Sequence, residues 1–487
     1  MTTASMYLRA SQRPKTTFLE KIIYGLGGVG ANLCWTFMAM FVTMYYTNSV
    51  GLAAAAVGTF MLVSRILDGI SDLIFAAVMR KAHMKLGYAR PWFLICAPML
   101  GVSLILSFNV PGNLSETGRL TYAFATYAFT AAVSYTIFNM AFASFLPLIS
   151  QDDKDRTKTA SLGNVIIMIG VVIMSMVTPL ILAAGGGESV QGAWTKVSTI
   201  YAILCTIFVG MLGLIKEKTV GTQNKQADTD QIKVTATDAQ ATQEAPQKIG
   251  FAAAMKYAFS CKYTWILLAS FTLMFLGTGV TSGINYYQTV YLFGGVPHII
   301  ETYGATVYTA MSLLGTAAMV LGVSFSPLLF PKFGKRNTIV AGLILSITAC
   351  VLIFLNPTSY LYVGILKAVS SLGLAPMTIA QFVFVADLST YILKKSGQHM
   401  EEIVAMTSSV STKIGTGIGS AAVGWGLALF GFEGALMEQA AATLKGIAFM
   451  NSLLPAIFYL GMAVCLLFWN LERKLEKMEE PAVAASE

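Results

Sequence analysis

Long apolar stretches separated by short polar breaks run through almost the whole chain. A helix needs about 20 apolar residues to cross the hydrocarbon layer of a bilayer. That rule predicts twelve spans, at residues 22–47, 53–79, 92–110, 120–149, 161–184, 197–215, 264–293, 302–330, 337–355, 360–392, 402–431 and 446–470. Several are longer than a crossing needs, which implies tilt or ends that project into water. The longest break, 216–262, is rich in Lys, Asp, Gln and Thr and nearly free of aromatics, the composition of a flexible linker. The pattern predicts an all-α membrane protein. It has an N-terminal six-helix half (1–215), a cytoplasmic linker (216–262), a C-terminal six-helix half (263–470) and a cytoplasmic tail (471–487).

Composition makes the membrane reading obligatory. Hydrophobic residues are 55% of the 487 and charged residues 11%, where a soluble chain carries about 25% charge. With a mean hydropathy of +0.67, polar surface is too scarce to cover a globule of this length in water. The net charge of +8 is explained by its distribution. The outer loops hold Arg119, Lys196 and Lys445, and the spans hold Arg65, Lys367 and Lys413. All other Lys and Arg fall on one side when the N-terminus is placed inside, as the positive-inside rule requires. The excess therefore reports topology and asks for no nucleic-acid partner. Both termini are expected in the cytoplasm and the protein in the cell membrane. The polar first stretch lacks a cleavable leader pattern, so the first span is expected to direct insertion. Six cysteines without a CxxC pair read as reduced packing residues.

Some motifs mislead. Gly25, Gly27 and Gly30 satisfy G-x-G-x-x-G, but no strand precedes them, and small residues for close helix packing explain them better. His83, His298 and His399 sit in separate loops without metal-ligand spacing. No hydrolase, kinase or zinc-protease pattern occurs, so an enzyme is not expected and no cofactor is called for. Each half carries a Gly-plus-basic turn after its second span, at Gly87–Arg90 and Gly334–Arg336, as a duplicated six-helix unit would leave.

The ionisable residues within spans carry the candidate chemistry, because a charge at bilayer depth costs several kcal/mol (about 3 or more) and is kept for a reason. Asp68 and Asp72 lie four apart on the second span and share a helix face, with Ser71 beside them and Arg65 one turn earlier. Two carboxylates and a hydroxyl offer oxygens to a small monovalent cation, or share one proton. Lys413 stands in the eleventh span as an internal competitor for such a cation. A purely structural network of Arg65 and Lys413 with the two aspartates fits the same residues. Lys367 lies about two turns from the outer end of the tenth span, where it either snorkels to the interface or serves the transported solute or ion. Polar stripes mark a hydrated path: Asn32 and Thr36 with Trp35 nearby, Thr136 and Asn139 with Tyr135 adjacent, Thr278, Thr281 or Ser282, Asn285 and Gln288, and Thr407, Ser408 and Ser411.

Several of these segments resemble the glycoside–pentoside–hexuronide:cation symporters. Tyr24-Gly25-Leu26-Gly27, Tyr45-Tyr46-Thr47 and Val50-Gly51-Leu52 do so, as does Val57-Gly58-Thr59 running into Ser64–Asp72. Gly87-Tyr88-Ala89-Arg90-Pro91-Trp92 is similar to the family's G-K-F-R-P-W, and Asp387, Tyr391, Glu401 and Lys413 stand where its second-half signature falls. That signature's D/E-Y-G-E is replaced here by Thr390-Tyr391-Ile392-Leu393. The resemblance implies the major-facilitator fold and uptake of a sugar or glycoside with Na⁺, Li⁺ or H⁺. In melibiose carriers of this kind the cation site maps onto Asp68, Ser71, Asp72, Thr136 and Lys413, with Ser71 replacing an Asn. The charged sugar-binding positions map onto Asn32, Asn139 and Asn164, and a sugar-stacking tryptophan onto Ala143. The candidate solute contacts are therefore Asn32, Trp35, Tyr135, Asn139, Asn164, Asn285 and Lys413, and the expected solute is neutral.

Three function classes follow. The first is a cation-coupled symporter for a small polar solute, acting as a monomer. The second is a carrier of lipid or another amphipathic solute, as in eukaryotic relatives. The third is a transporter-like sensor without turnover, which loss of the aspartate pair would favour; both aspartates are present.

Overall fold

The computed structural model describes residues 15–218, 251–293, 305–396 and 401–478, except positions 83, 85, 151, 437, 473, 476 and 477. All three histidines and most of the expected linker lie outside the described residues. Among the described residues the secondary structure is entirely helical. In lipid every backbone N–H and C=O must be satisfied within its own segment, and a helix does that.

The chain divides into two compact units, Met1–Ala241 and Thr242–Glu487. The first contains α1 (Phe18–Met44), α2 (Ala54–Lys81), α3 (Arg90–Ser107), α4 (Glu116–Phe129), α5 (Thr136–Ile149), α6 (Asp153–Ala184) and α7 (Gln191–Leu212). Two short π-helical stretches interrupt this pattern. Tyr45–Ser49 prolongs α1, and Thr130–Tyr135 joins α4 to α5 within one continuous span. The second unit contains α8 (Phe251–Ser260), α9 (Lys262–Leu292), α10 (Ala305–Phe333), α11 (Lys335–Leu355), α12 (Tyr360–Ser396), α13 (Glu401–Leu429), α14 (Ala441–Asn451) and α15 (Leu453–Leu467).

Eleven helices among the described residues are long and apolar enough to cross a membrane. The remaining expected span is α13. It is continuous and 29 residues long, but Thr407, Ser408, Ser411, Thr412, Lys413, Thr416 and Ser420 make it too polar to meet the same test. The last span is broken at Ser452, between α14 and α15.

Glycines set the helix spacing. A Cβ on Gly25 would lie 2.8 Å from Ile166, and one on Gly27 would lie 2.4 Å from Leu212. The glycines at the start of α1 thus admit α6 and α7 and form no phosphate cradle. In the second unit, a Cβ on Gly342 of α11 would meet the Gly373 carbonyl of α12 at 2.3 Å, so these two backbones touch. Small residues permit such approach where lipid supplies no hydrophobic drive. The second unit's core gathers Tyr263, Phe271, Phe384, Tyr459 and Trp469, all buried. All six cysteines are free, and four are buried.

The repeated Gly-plus-basic turns perform different tasks. At the start of α3, Glu217 accepts from the backbone N–H groups of Tyr88, Ala89 and Arg90 at 2.8, 2.8 and 3.0 Å. Arg90 Nε donates to the Gly213 carbonyl at 2.9 Å. A carboxylate from beyond α7 thereby caps the positive end of α3. Gly87 has φ 121° and leaves no room for a Cβ, which would lie 2.7 Å from that carboxylate. At the second turn, Lys335 instead pairs with Asp387 at 2.7 Å.

A polar node joins α1 to α6. Asp155 pairs with Lys21 at 2.6 Å and accepts from the Thr16 N–H, the Thr16 hydroxyl and the Ser150 hydroxyl at 2.7, 2.7 and 2.8 Å. Burial pushes the Asp155 carboxyl up, but Lys21, Thr16 and Ser150 outweigh it and hold the carboxyl well below the ordinary range. A depressed carboxylate stabilises the fold above its unfolded pKa, and that stability is lost as pH falls through the folded value. Asp155→Asn is expected to destabilise the purified protein by about 1–3 kcal/mol at neutral pH. The gap in melting temperature from wild type should narrow as the medium is acidified below about pH 4. A gap that is constant with pH would remove the charge from the explanation.

Candidate functional site

In the first unit the site is built on α2. Asp68 is 8% exposed and Ser71 and Asp72 are half-buried. Ser71 donates to the Asp68 carbonyl at 2.9 Å, along its own helix. The partner across the helix interface is Thr136, whose hydroxyl donates to Asp68 Oδ1 at 3.0 Å and lies 3.3 Å from Ser71 Oγ. Thr136 is the first residue of α5, directly after the π-helical Thr130–Tyr135. The wider turn shifts the helical phase there and brings Thr136 to α2. Such π insertions mark functional sites in many helices, and the sequence pattern carries no sign of this one.

Arg65 and Trp35 form a second layer. The guanidinium carbon of Arg65 lies 4.1 Å from the Trp35 ring centroid. Trp35 in turn stacks on Tyr135, with centroids 4.5 Å apart and planes at 20°. Cation–π contact of this kind contributes about 0.5–2 kcal/mol, more as water is excluded. The stack runs Arg65–Trp35–Tyr135 and continues along the chain to Thr136, joining the aromatic candidates to the carboxylate.

The amide candidates differ. Asn32 donates to the Gly28 carbonyl at 2.9 Å and accepts from Thr36 at 3.0 Å, so its bonds run along α1. Asn139 and Asn164 are exposed within this chain, on α5 and α6. Asp68, Ser71 and Thr136 are thus brought together by direct bonds, whereas the three asparagines are not bonded to that cluster.

In the second unit, Lys413 is half-buried on α13, beside Ser411, whose hydroxyl donates to the Leu268 carbonyl of α9 at 3.1 Å. Lys367 corrects one of its two expected readings. It does not snorkel outward; its ammonium donates to Asn451 Oδ1 at 2.9 Å and to Asn285 Oδ1. Inward amide oxygens supply bonds that the hydrocarbon region cannot, which outweighs the reach of the stem toward water. Asn451 also donates to Gln288, and Gln288 to the Pro357 carbonyl at 3.3 Å. Asn451 escaped the sequence reading. Its signal was the polar pair Asn451-Ser452, three residues before Pro455, inside an apolar run.

Fold and site together define a polytopic solute carrier. The family model described as MFS/sugar transport protein matches residues 23–473. The chain belongs to this family, as the signatures of the first three spans imply. It is 27% identical to an isoprimeverose transporter of Lactiplantibacillus pentosus, over 94% of this chain and 90% of that one. It is 23% identical to a glucuronide carrier protein homolog of Escherichia coli strain K12, over 93% and 92% respectively. The solved structure of a D-xylose–proton symporter shares the fold, with a TM-score of 0.60 at 15% identity, covering 93% of this chain and 97% of that one.

Proposed function

We propose that this protein carries a neutral sugar or glycoside across the cell membrane by alternating access, coupled to Na⁺, Li⁺ or H⁺, with both termini in the cytoplasm. The observation that carries the reading is the oxygen cluster of Asp68, Thr136 and Ser71 on facing helices, with Asp72 one turn away. Four oxygen-bearing side chains suit a small hard cation, and two carboxylates at bilayer depth need compensating charge. Cation binding that removes this penalty favours the state that can reorient, which is how one gradient drives another. Lys413 enters the site through the family resemblance alone.

The solute reading rests on the asparagines. Asn32, Asn139 and Asn164 stand where melibiose carriers use charged groups. An amide offers donor and acceptor to a hydroxyl, but not the charge-assisted bonds, roughly twice as strong, that carboxylates and guanidinium make. The similarity to an isoprimeverose transporter favours a neutral disaccharide of that kind.

Uptake of labelled isoprimeverose in a carrier-deficient host, with and without Na⁺ or Li⁺ and across external pH, tests both parts. Accumulation above the external concentration, dependent on one of these cations, is expected. Efficient uptake of melibiose or a glucuronide, abolished by Asn139→Ala, would overturn the neutral-solute reading and leave symport standing.

A further inference from the structure

Lys367 holds a position that the cation site does not use. It is an intramembrane ammonium whose bonds run to two amides, on two other helices. An ammonium has three donors and no acceptor, so each amide that meets it must turn its oxygen inward. This chemistry fixes the orientation of both Asn285 and Asn451. Asn451 is buried and donates from Nδ2 to the buried Gln288, which itself donates to the Pro357 carbonyl, so that branch is closed.

Asn285 ends differently. Its oxygen accepts from Lys367, the side chain is half-buried, and among the described residues no acceptor takes its Nδ2 hydrogens. It continues the stripe of Thr278, Thr281 and Ser282 along α9. In that stripe the hydroxyls donate to backbone carbonyls of their own helix, at 2.8 to 3.1 Å. The opposite face of α9 is closed by Gly279 and Gly283, which pack on α13. Asn285 is thus the one amide of the stripe whose donor is held ready, and a cation polarises it.

We propose that Asn285 presents its Nδ2–H to an uncharged acceptor oxygen of the transported solute, a hydroxyl, ring or glycosidic oxygen, and that Lys367 is the positioning residue that orients and polarises this donor. This deepens the glycoside reading and rests on it. The charge on Lys367 strengthens the amide donor through the shared oxygen, as in any chain of polarised hydrogen bonds.

Two measurements test it. The first is the Kd of isoprimeverose for purified wild type, Asn285→Ala, Lys367→Met, Lys367→Arg and the Asn285→Ala/Lys367→Met pair, each confirmed folded by its melting temperature. Each of the first two variants should weaken binding by about ten-fold, the size of one hydrogen bond. The pair should be no weaker than either alone, because both remove the same contact. Lys367→Arg should recover part of the loss. Unchanged Kd in folded Asn285→Ala or Lys367→Met, or additive losses in the pair, would overturn the proposal.

The second measurement needs no solute. An Asn285→Cys variant, in a background with the native cysteines replaced, is treated with anionic and cationic methanethiosulfonates. Reaction should occur, faster with the anionic reagent, and Lys367→Met should erase that preference. A position 285 that neither reagent reaches overturns the proposal. If wild type fails to bind isoprimeverose, the solute assignment falls, and the cysteine experiment still decides the role of Asn285 and Lys367.

Discussion

Asp68→Asn and Asp72→Asn are each expected to abolish cation-dependent accumulation of solute while leaving the protein folded and inserted. Asn keeps the volume and an acceptor oxygen but removes the charge that balances the ion. Losing one member of a buried, hydrogen-bonded charge pair costs about 2–5 kcal/mol, or about 30-fold to several thousand-fold in ion affinity. Coupling should therefore be lost at ion concentrations that just saturate the wild type. Solute exchange down a gradient is expected to survive, because the asparagine and aromatic candidates are untouched. Thr136→Val exchanges the hydroxyl that bonds Asp68 and Ser71 for a methyl group and should weaken ion affinity by about ten-fold, the value of a single hydrogen bond. Ion-dependence curves for uptake, with counterflow for uncoupled exchange, check both. An Asp72→Asn protein that still concentrates solute with unchanged ion dependence would remove the cation site from α2.

Gly342→Val is expected to be the most damaging substitution in the second unit. Its first new carbon would sit 2.3 Å from the Gly373 carbonyl. Overpacking costs about 1–3 kcal/mol where side chains can yield, and the obstacle here is backbone on a neighbouring helix. α11 and α12 must separate, and the Ser346 hydroxyl bond to the Ser370 carbonyl, 2.8 Å long, goes with them. Loss of monodisperse protein on size exclusion is the expected result. Gly315→Ala is the comparison. Its Cβ would meet only Ser371 Oγ at 3.5 Å, an ordinary contact. Ala also favours helix by about 1 kcal/mol over Gly, so that variant should match or exceed wild-type stability. Equal behaviour of the two would show that this backbone contact does not set the spacing of α11 and α12.

The spacing of Asp68, Ser71 and Asp72 follows from chain order, because a helix places residues three and four apart on one face. The spans were equally legible, because the bilayer forces each segment to be long, apolar and self-satisfied, a property of the segment alone. α13 shows the edge of that rule: its polar positions lower its apolarity below that of a typical crossing, yet the helix runs unbroken.

The tertiary structure decided which side chains meet. Thr136 reaches Asp68 across 68 positions because a π-helical turn resets the phase of α5. Arg65 lies on Trp35, and Glu217 caps a helix that starts more than a hundred residues earlier. Lys367 turns inward because Asn285 and Asn451, 82 and 84 positions away, offer oxygens to it. Hydropathy and periodicity are sums over neighbours in the chain. They determine that a helix crosses and which of its faces is polar, but not its rotation or depth against another helix. Those are set by glycine contacts, π turns and helix breaks, and on them depends whether a polar face becomes a cation site, a solute contact or a bond between helices.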